Sequence, residues 1–357
     1  MTSQQPPLTG KVLLLGPIEC ITCGPPTALC GALPPPMGAA TAFFRVYPTT
    51  CKETMSTYTP ALSYELFPPR SSASCESLLT TIDQLAPTNP DYVSVTYSGD
   101  RARKQKTLAL LDHLVHETRL TPLAHLTCVG HTAEELEAAV RRILAIGVRG
   151  FLALRGDLPP GSTQAPDIPF ARSLVDLIRR VETQDFAHLA AGRVAVGVAA
   201  YPSRHPESSS ELQDIEILLS KERAGADFAI TQVFFEATRY ESLVQRARTA
   251  GVTLPLIPGI MPVTSLRRLT TLCSLAGLTV PQQLAYDLET ASGDAQRHRI
   301  GVEFGARLLQ ESLDAGAPGI HFYTFNEHAA VLDVLEQVNL PRYSTRFENP
   351  LAELTYA

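Results

Sequence analysis

The chain has 357 residues and a formal net charge of −6, with 45% apolar and 18% charged residues. That balance excludes general disorder and argues against a non-specific nucleic-acid binder; no apolar run approaches the ~20 residues of a membrane-spanning helix. Seven cysteines over this length do not make a disulfide framework, so the sequence reads as a soluble protein of a reducing, cytoplasmic compartment.

Residues 1–54 are rich in Pro, Gly, Cys and Thr and differ from the rest of the chain. Cys20-x-x-Cys23, with Cys30 and Cys51 beyond it, is a lone Cys pair and a weak metal signal. Gly16-Pro17 cuts the apolar stretch Val12 to Leu15, which makes a poor signal-peptide core. The segment reads as a disordered extension, or as sequence ahead of a true start at Met55. The folded pattern is placed at 55–345, with 346–357 a C-terminal tail.

From residue 61 short apolar runs alternate with amphipathic ones. The predicted strands are Leu62–Phe67, Tyr92–Tyr97, Leu123–Val129, Phe151–Arg155, Val194–Ala200, Phe228–Phe235, Leu254–Ile260 and Gly319–Phe325. Most are near-continuous apolar or β-branched runs, as parallel strands buried on both faces require. Between them, Thr132–Ile146 is the clearest helix. Thr132 and Glu135 make a capping-box pattern, Leu136, Val140, Ile143 and Leu144 form one stripe, and Gly147 ends it. Val175, Ile178 and Val181 mark a second helix; Ile300, Phe304 and Leu308 mark a long third one. Eight strands alternating with helices predict a single (β/α)8 TIM-type barrel. A doubly wound sheet is the alternative, but neither G-x-G-x-x-G nor G-x-x-x-x-G-K-[ST] occurs.

Such barrels place their chemistry at the C-terminal ends of the strands. There the sequence puts Glu65, Thr96, His125, Asp157, Tyr201 and Gln232, with Arg155, Gly156, His205 and Tyr323 beside them. An acid inside an apolar strand costs free energy unless it is paired, hydrogen-bonded or protonated. Each residue also has a plain structural reading: His125 as a satisfied core residue, Glu65 as a rim acid, Arg155-Gly156-Asp157 as a polar turn. Their recurrence at one end of successive strands favours a functional mouth. His125, His205, Asp157 and Glu65 are suitable metal-ligand types, yet no H-E-x-x-H or paired-Cys spacing supports a metal, and no G-x-S-x-G elbow is present. His113 and His116 read as helix surface, the pairs Arg141-Arg142, Arg179-Arg180 and Arg267-Arg268 as solvated outer faces, and Cys128 as a small buried hydrophobe.

Eight strings in order, S-Y-E-L-F-P-P-R, D-Y-V-S-V-T-Y, A-H-L-T-C, A-L-R-G-D-L-P-P-G, Y-P-x-x-H-P, I-T-Q-V-F-F, I-P-G-I-M-P and H-F-Y-T-F-N, span Ser63 to Asn326. Together they resemble the methylenetetrahydrofolate reductase family in its short bacterial form. The resemblance implies a barrel that binds FAD without a Rossmann motif. It implies reduction of 5,10-methylenetetrahydrofolate to 5-methyltetrahydrofolate, with NADH or NADPH reducing the flavin before folate takes its place. On the matching positions, Glu65 is the general acid that opens the folate ring, and Asp157 stabilises the resulting cation and tunes the flavin. Gln232 contacts folate. Thr96, His125, Arg155, Gly156, Asp157, Tyr201, His205 and Tyr323 contact the flavin, while Asp214 and Lys221 hold its outer part. Burial would keep the Glu65 carboxyl protonated above its reference pKa of ~4.3.

Family members commonly carry Asn and Arg on the helix where this chain has Ile217 and Ser220, and Gly where it has Ser98. The Arg loss removes a bidentate phosphate partner that Lys221 alone does not replace. Arg223 lies further along, but at ~100° per residue it need not share the face. Those departures motivate a rival, direct hydride transfer from nicotinamide to folate without flavin; the other rivals are a non-catalytic folate- or flavin-binding relative and a barrel enzyme using folate as methyl donor. The resemblance further implies a homo-oligomer and, since the chain ends soon after Asn326, no inhibition by S-adenosylmethionine.

Overall fold

The computed structural model describes residues 60–97, 101–157, 167–187, 193–338 and 340. The expectations for residues 1–54 and 346–357, the outer bounds at 55 and 345, and Ser98 lie outside them. In chain order the described elements are β1 (Ala61–Leu66), α1 (Ser72–Leu85), β2 (Tyr92–Val95), α2 (Arg101–Glu117), β3 (Pro122–Thr127), α3 (Ala133–Ile146), β4 (Gly150–Leu154) and α4 (Ala171–Asp185). Then come β5 (Ala195–Ala200), α5 (Glu211–Arg223), β6 (Phe228–Thr231), α6 (Ala237–Thr249), β7 (Leu256–Ile257) and β8 (Gly259–Ile260). Helices α7 (Leu266–Ala276), α8 (Gln282–Thr290) and α9 (Asp294–Asp314), strand β9 (Gly319–Tyr323) and α10 (Ala329–Gln337) complete the set.

All pairings are parallel, in the order β7-β6-β5-β4-β3-β2-β1-β9-β8. This is the expected (β/α)8 barrel with one correction. The predicted seventh strand, Leu254–Ile260, is two short strands flanking Pro258. Proline has no N–H to give a ladder, so the strand breaks there. Ile257 pairs with β6 on one side, and Gly259 and Ile260 pair with β9 on the other. The Pro258 carbonyl still accepts the His321 N–H at 3.0 Å.

Alternation along the strands sorts side chains into two cores. Outward residues such as Tyr64, Val93, Ala124, Phe151, Val196 and Ala229 pack with the helices. Inward residues Tyr92, Leu123, Leu152, Ala195, Phe228 and Ile230 fill the barrel axis. Each buried large side chain of this kind stabilises by roughly 1.5–3 kcal/mol. Gly197 makes room for one of them, because a Cβ there would meet the Phe228 ring at 2.5 Å.

Helix α3 forms as its sequence dictates: Thr132 and Glu135 close the capping box, and Gly147 ends it at φ 112°. The long helix marked by Ile300, Phe304 and Leu308 is α9. Two arginine expectations are corrected. Arg179 is not a solvated face: it donates to Glu182 at 2.8 Å, to Asp227, and to the carbonyls of Val194 and Gly225, tying α4 to the feet of β5 and β6. Arg268 is half-buried, stacks 5.7 Å from the Phe325 ring centroid and holds Glu327 with two 2.7 Å bonds. His116 is exposed as expected, whereas His113 is half-buried. Cys128 is buried, its thiol directed at the Leu154 carbonyl 3.3 Å away.

Predicted strands overrun the observed ones at their C-terminal ends. Thr96, Val129, Arg155, Gln232 and Phe325 all lie past the last ladder residue. These overruns form the barrel mouth. At the last one Phe325 and Asn326 adopt left-handed φ of 52° and 61°. Asn tolerates that region, and its amide accepts the Phe67 N–H at 2.8 Å and donates to the Phe67 carbonyl at 2.9 Å. Thr324 donates to the Glu65 carbonyl at 2.6 Å, so the end of β9 fixes the end of β1.

Candidate active site

Glu65 faces the barrel axis from β1, one residue short of its end, and is 8% exposed. Its Oε2 lies 3.6 Å from His125 Nε2 of β3. That is too long for a hydrogen bond, and His125 Nε2 has no partner among the described residues. Burial raises the Glu65 carboxyl from its ordinary 4.5 to about 8. Burial also lowers His125 from 6.5 to about 3. At neutral pH the contact is therefore a neutral acid beside a neutral imidazole, not an ion pair. Beneath them His321 is likewise pushed down to about 3, by burial and then by His125. Ser63 donates its one hydroxyl proton to the Ile320 carbonyl at 3.1 Å, so it must accept from His321 Nδ1–H, 2.8 Å away.

Tyr323 stands opposite Glu65 in register and donates to the Thr231 carbonyl at 2.7 Å, bridging β9 to β6 across the broken strand. Gln232 follows β6. Its Oε1 accepts the Val233 N–H at 2.9 Å, so the amide hydrogens on Nε2 are what it offers the mouth.

After β4 comes Arg155-Gly156-Asp157. Gly156 has φ 82°, and a Cβ there would press on Thr127 at 3.2 Å and Val129 at 3.3 Å. Only glycine lets this backbone lie against the end of β3 and carry Asp157 to the exposed rim. Arg155 grips Glu207 with both terminal nitrogens, the Nη2 bond being 2.8 Å. That bond holds the Glu207 carboxyl below its usual range.

Tyr201 and His205 meet edge to face with centroids 4.6 Å apart. Lys221 of α5 runs beneath them, buried, its Nζ 5.9 Å from the Tyr201 ring centroid and 2.8 Å from the Ala199 carbonyl it donates to. Burial lowers this ammonium to about 8, against the opposing pull of Asp214. Asp214 accepts the His205 N–H at 2.9 Å and the Ser208 hydroxyl.

These groups open onto one cavity of about 1140 Å³. Of the residues assigned to the site from sequence, all but Thr96 line it. The Thr96 backbone joins β1 and α2: its N–H bonds the Leu66 carbonyl at 3.1 Å, and its own carbonyl accepts the Thr107 hydroxyl. Among the described residues no group of three His, Cys, Asp or Glu side chains is placed to hold a metal ion. No described helix is long and apolar enough to cross a membrane.

The methylenetetrahydrofolate reductase family model matches residues 50–339. The chain belongs to the methylenetetrahydrofolate reductase family. The 5,10-methylenetetrahydrofolate reductase of Salmonella typhimurium is 34% identical over 266 residues, covering 74% of this chain and 86% of that one. A probable methylenetetrahydrofolate reductase (NADPH) of Caenorhabditis elegans is 33% identical over 289 residues, 78% of this chain but 42% of the worm protein. Among solved structures, an uncharacterised Clostridium thermocellum protein that binds two copies of 5-methyl-5,6,7,8-tetrahydrofolic acid superposes with a TM-score of 0.56. It is 13% identical and covers 81% of this chain and 97% of its own, a likeness of fold.

In this methylenetetrahydrofolate reductase family member, sequence reasoning missed several wall residues. Phe170 and Arg172 line the cavity at the start of α4, and Phe325 lines it from the left-handed turn. Phe170 carried a signal: it occupies the N-cap of α4 without a side-chain cap bond, where Ser, Thr, Asp or Asn is preferred, and it is 52% exposed. Glu207 carried none, because its partner Arg155 is 52 residues away in the chain.

Proposed function

We propose that this chain reduces 5,10-methylenetetrahydrofolate to 5-methyltetrahydrofolate, taking reducing equivalents from NADH or NADPH through bound FAD. The observation that carries the reading is Glu65, a buried carboxyl kept neutral to about pH 8 beside a cavity large enough for a dinucleotide. The wall fits FAD in three respects. Its volume exceeds the ~300–1,000 Å³ of ordinary small-ligand pockets. Gly156 leaves a cradle that a Cβ would fill, and Leu152, Leu154 and Ile230 supply apolar surface next to it. His125, Arg155, Gly156, Tyr201, His205, Asp214, Lys221 and Tyr323 would hold it. FAD, when bound, would carry the hydride between nicotinamide and folate.

The rest falls to side chains of the chain. Glu65 gives its proton to folate N10 as the N10–methylene bond breaks, leaving a cationic N5=CH2 iminium that the hydride converts to N5–CH3. Hydride transfer needs that cation, and a neutral acid at the site makes it without a free hydronium ion. Asp157 balances the positive charge. Gln232, with Oε1 already used, donates from Nε2 to the pterin. Because Asp157 is exposed, water screens it until the substrate covers the rim. Asp157→Asn is therefore expected to slow folate reduction by roughly tenfold or more and to shift the flavin midpoint potential. Unchanged rate and potential would remove Asp157 from the mechanism.

The visible spectrum of the purified protein tests the cofactor. An oxidised-flavin band that bleaches under anaerobic NADH or NADPH and returns on adding methylenetetrahydrofolate is the expected result. Ile217, apolar and 40% exposed on the cavity wall, favours a second reading, direct transfer from nicotinamide to folate. A colourless protein that turns over without added FAD would establish that reading and overturn the first.

A further inference from the structure

The family resemblance implies an arginine on α5 where this chain has Ser220. Ile217 and Ser220 line the cavity, and the Ser220 hydroxyl is spent on the Ile217 carbonyl 2.7 Å away in its own helix. Two charges, at least, must be balanced wherever a pyrophosphate lies, and the cations from sequence do not serve freely. Arg155 already has both terminal nitrogens on Glu207. Lys221 is buried under Tyr201 and donates to the Ala199 carbonyl. Arg223 is exposed and is not part of the cavity wall.

Arg172 remains. It lines the same cavity from the first turn of α4, the helix next to α5. Among the described residues it is the one guanidinium or ammonium of that wall with neither a carboxylate nor a carbonyl partner. Its only described contact is the exposed Phe170 ring, 5.2 Å from Cζ. A guanidinium stacked on an aromatic keeps its in-plane N–H fork free, the geometry that meets two phosphate oxygens at once.

Resting on the FAD reading above, we propose that Arg172 holds the pyrophosphate of FAD in this chain, taking over the part of the arginine absent at position 220. The phosphate-binding cation then stands on α4 instead of on the neighbouring α5.

Titration of the full-length, flavin-free protein with FAD and with riboflavin, read by flavin fluorescence, tests this. Riboflavin lacks phosphate. Arg172→Ala is expected to raise the Kd for FAD by roughly 10–100-fold, as loss of a hydrogen-bonded charge does, and to leave riboflavin binding unchanged. Its FAD affinity should depend less steeply on salt. Arg172→Lys should recover part of the loss, and adding Ser220→Arg to Arg172→Ala should recover more. An unchanged FAD Kd overturns the proposal. Equal weakening of FAD and riboflavin overturns it too, showing a merely structural role. A raised KM for NADPH with FAD binding intact would assign the guanidinium to the reductant's phosphate instead. If the unsubstituted protein takes up neither FAD nor riboflavin, the flavin reading itself fails, an outcome separate from the others.

Discussion

Replacing Glu65 with Gln is expected to leave reduction of the flavin by NADH or NADPH within a few-fold of the unsubstituted protein, and to slow folate reduction by about 10²–10⁴. The substitution conserves shape, so the barrel interior around it is undisturbed. Glu65 is held by its backbone to Thr324, and its nearest titratable partner among the described residues, His125 at 3.6 Å, is neutral at pH 7. Nicotinamide oxidation releases no leaving group that needs a proton, whereas opening the folate ring does. An amide keeps the hydrogen-bonding outline but has no acidic proton, so only the second half-reaction feels the change. Stopped-flow measurement of the two half-reactions separates them. A parallel fall in both would mark Glu65 as a structural residue and remove the acid from the mechanism.

Most of the barrel was legible because parallel strands buried on both faces write continuous apolar runs, and helix α3 writes its own cap and stop. The miss at the seventh strand has a single cause. The run Leu254–Ile260 is apolar throughout, and periodicity outvoted Pro258, whose missing N–H splits the ladder. The overruns at strand ends have a different cause: Thr96 and Gln232 each give one last N–H to the neighbouring strand, to Leu66 and Ala200, and there the ladder ends, while the β-rich composition runs on as far as Phe325. Composition reports what a residue prefers, while the end of a ladder depends on what the neighbouring strand offers.

The site was legible to the extent that it lies on strand ends. Glu65, His125, Gln232 and Tyr323 are fixed by register and alternation, and alternation can be counted. What lies across the chain cannot. Nothing local announces that Glu207 neutralises Arg155, that Arg179 is drawn inward by Asp227, or that Arg268 is clasped by Glu327. Each pair joins elements that only the closed barrel brings together. Lys221 illustrates the same limit: its position on α5 was readable, but its burial beneath Tyr201 was not, and burial is what turns an ordinary surface ammonium into one lowered to about 8.

The neutrality of Glu65 should also be visible in the stability of the protein. Its folded pKa of about 8 stands well above the ordinary 4.5 that the unfolded chain would show. Between those values the folded protein keeps a proton that the unfolded chain gives up. The Glu65 contribution is thus fully present below about pH 4.5, and is lost as pH rises through about 8. His125 and His321 act on the other side: both are lowered to about 3, so their contribution is present above the ordinary 6.5 and is lost as pH falls. Gln at position 65 does not titrate and deletes only the alkaline arm. Unfolding free energies from denaturant melts should show Glu65→Gln gaining on the unsubstituted protein from pH 5 to 8, at up to ~1.4 kcal/mol per pH unit, and levelling off above that. In the unsubstituted protein folate reduction should fall off over the same range, because the proton whose removal weakens the fold is the one the reaction uses. A difference between the two proteins that does not change with pH would mean an ordinary carboxylate at position 65, ionised at neutrality and unable to serve as the acid.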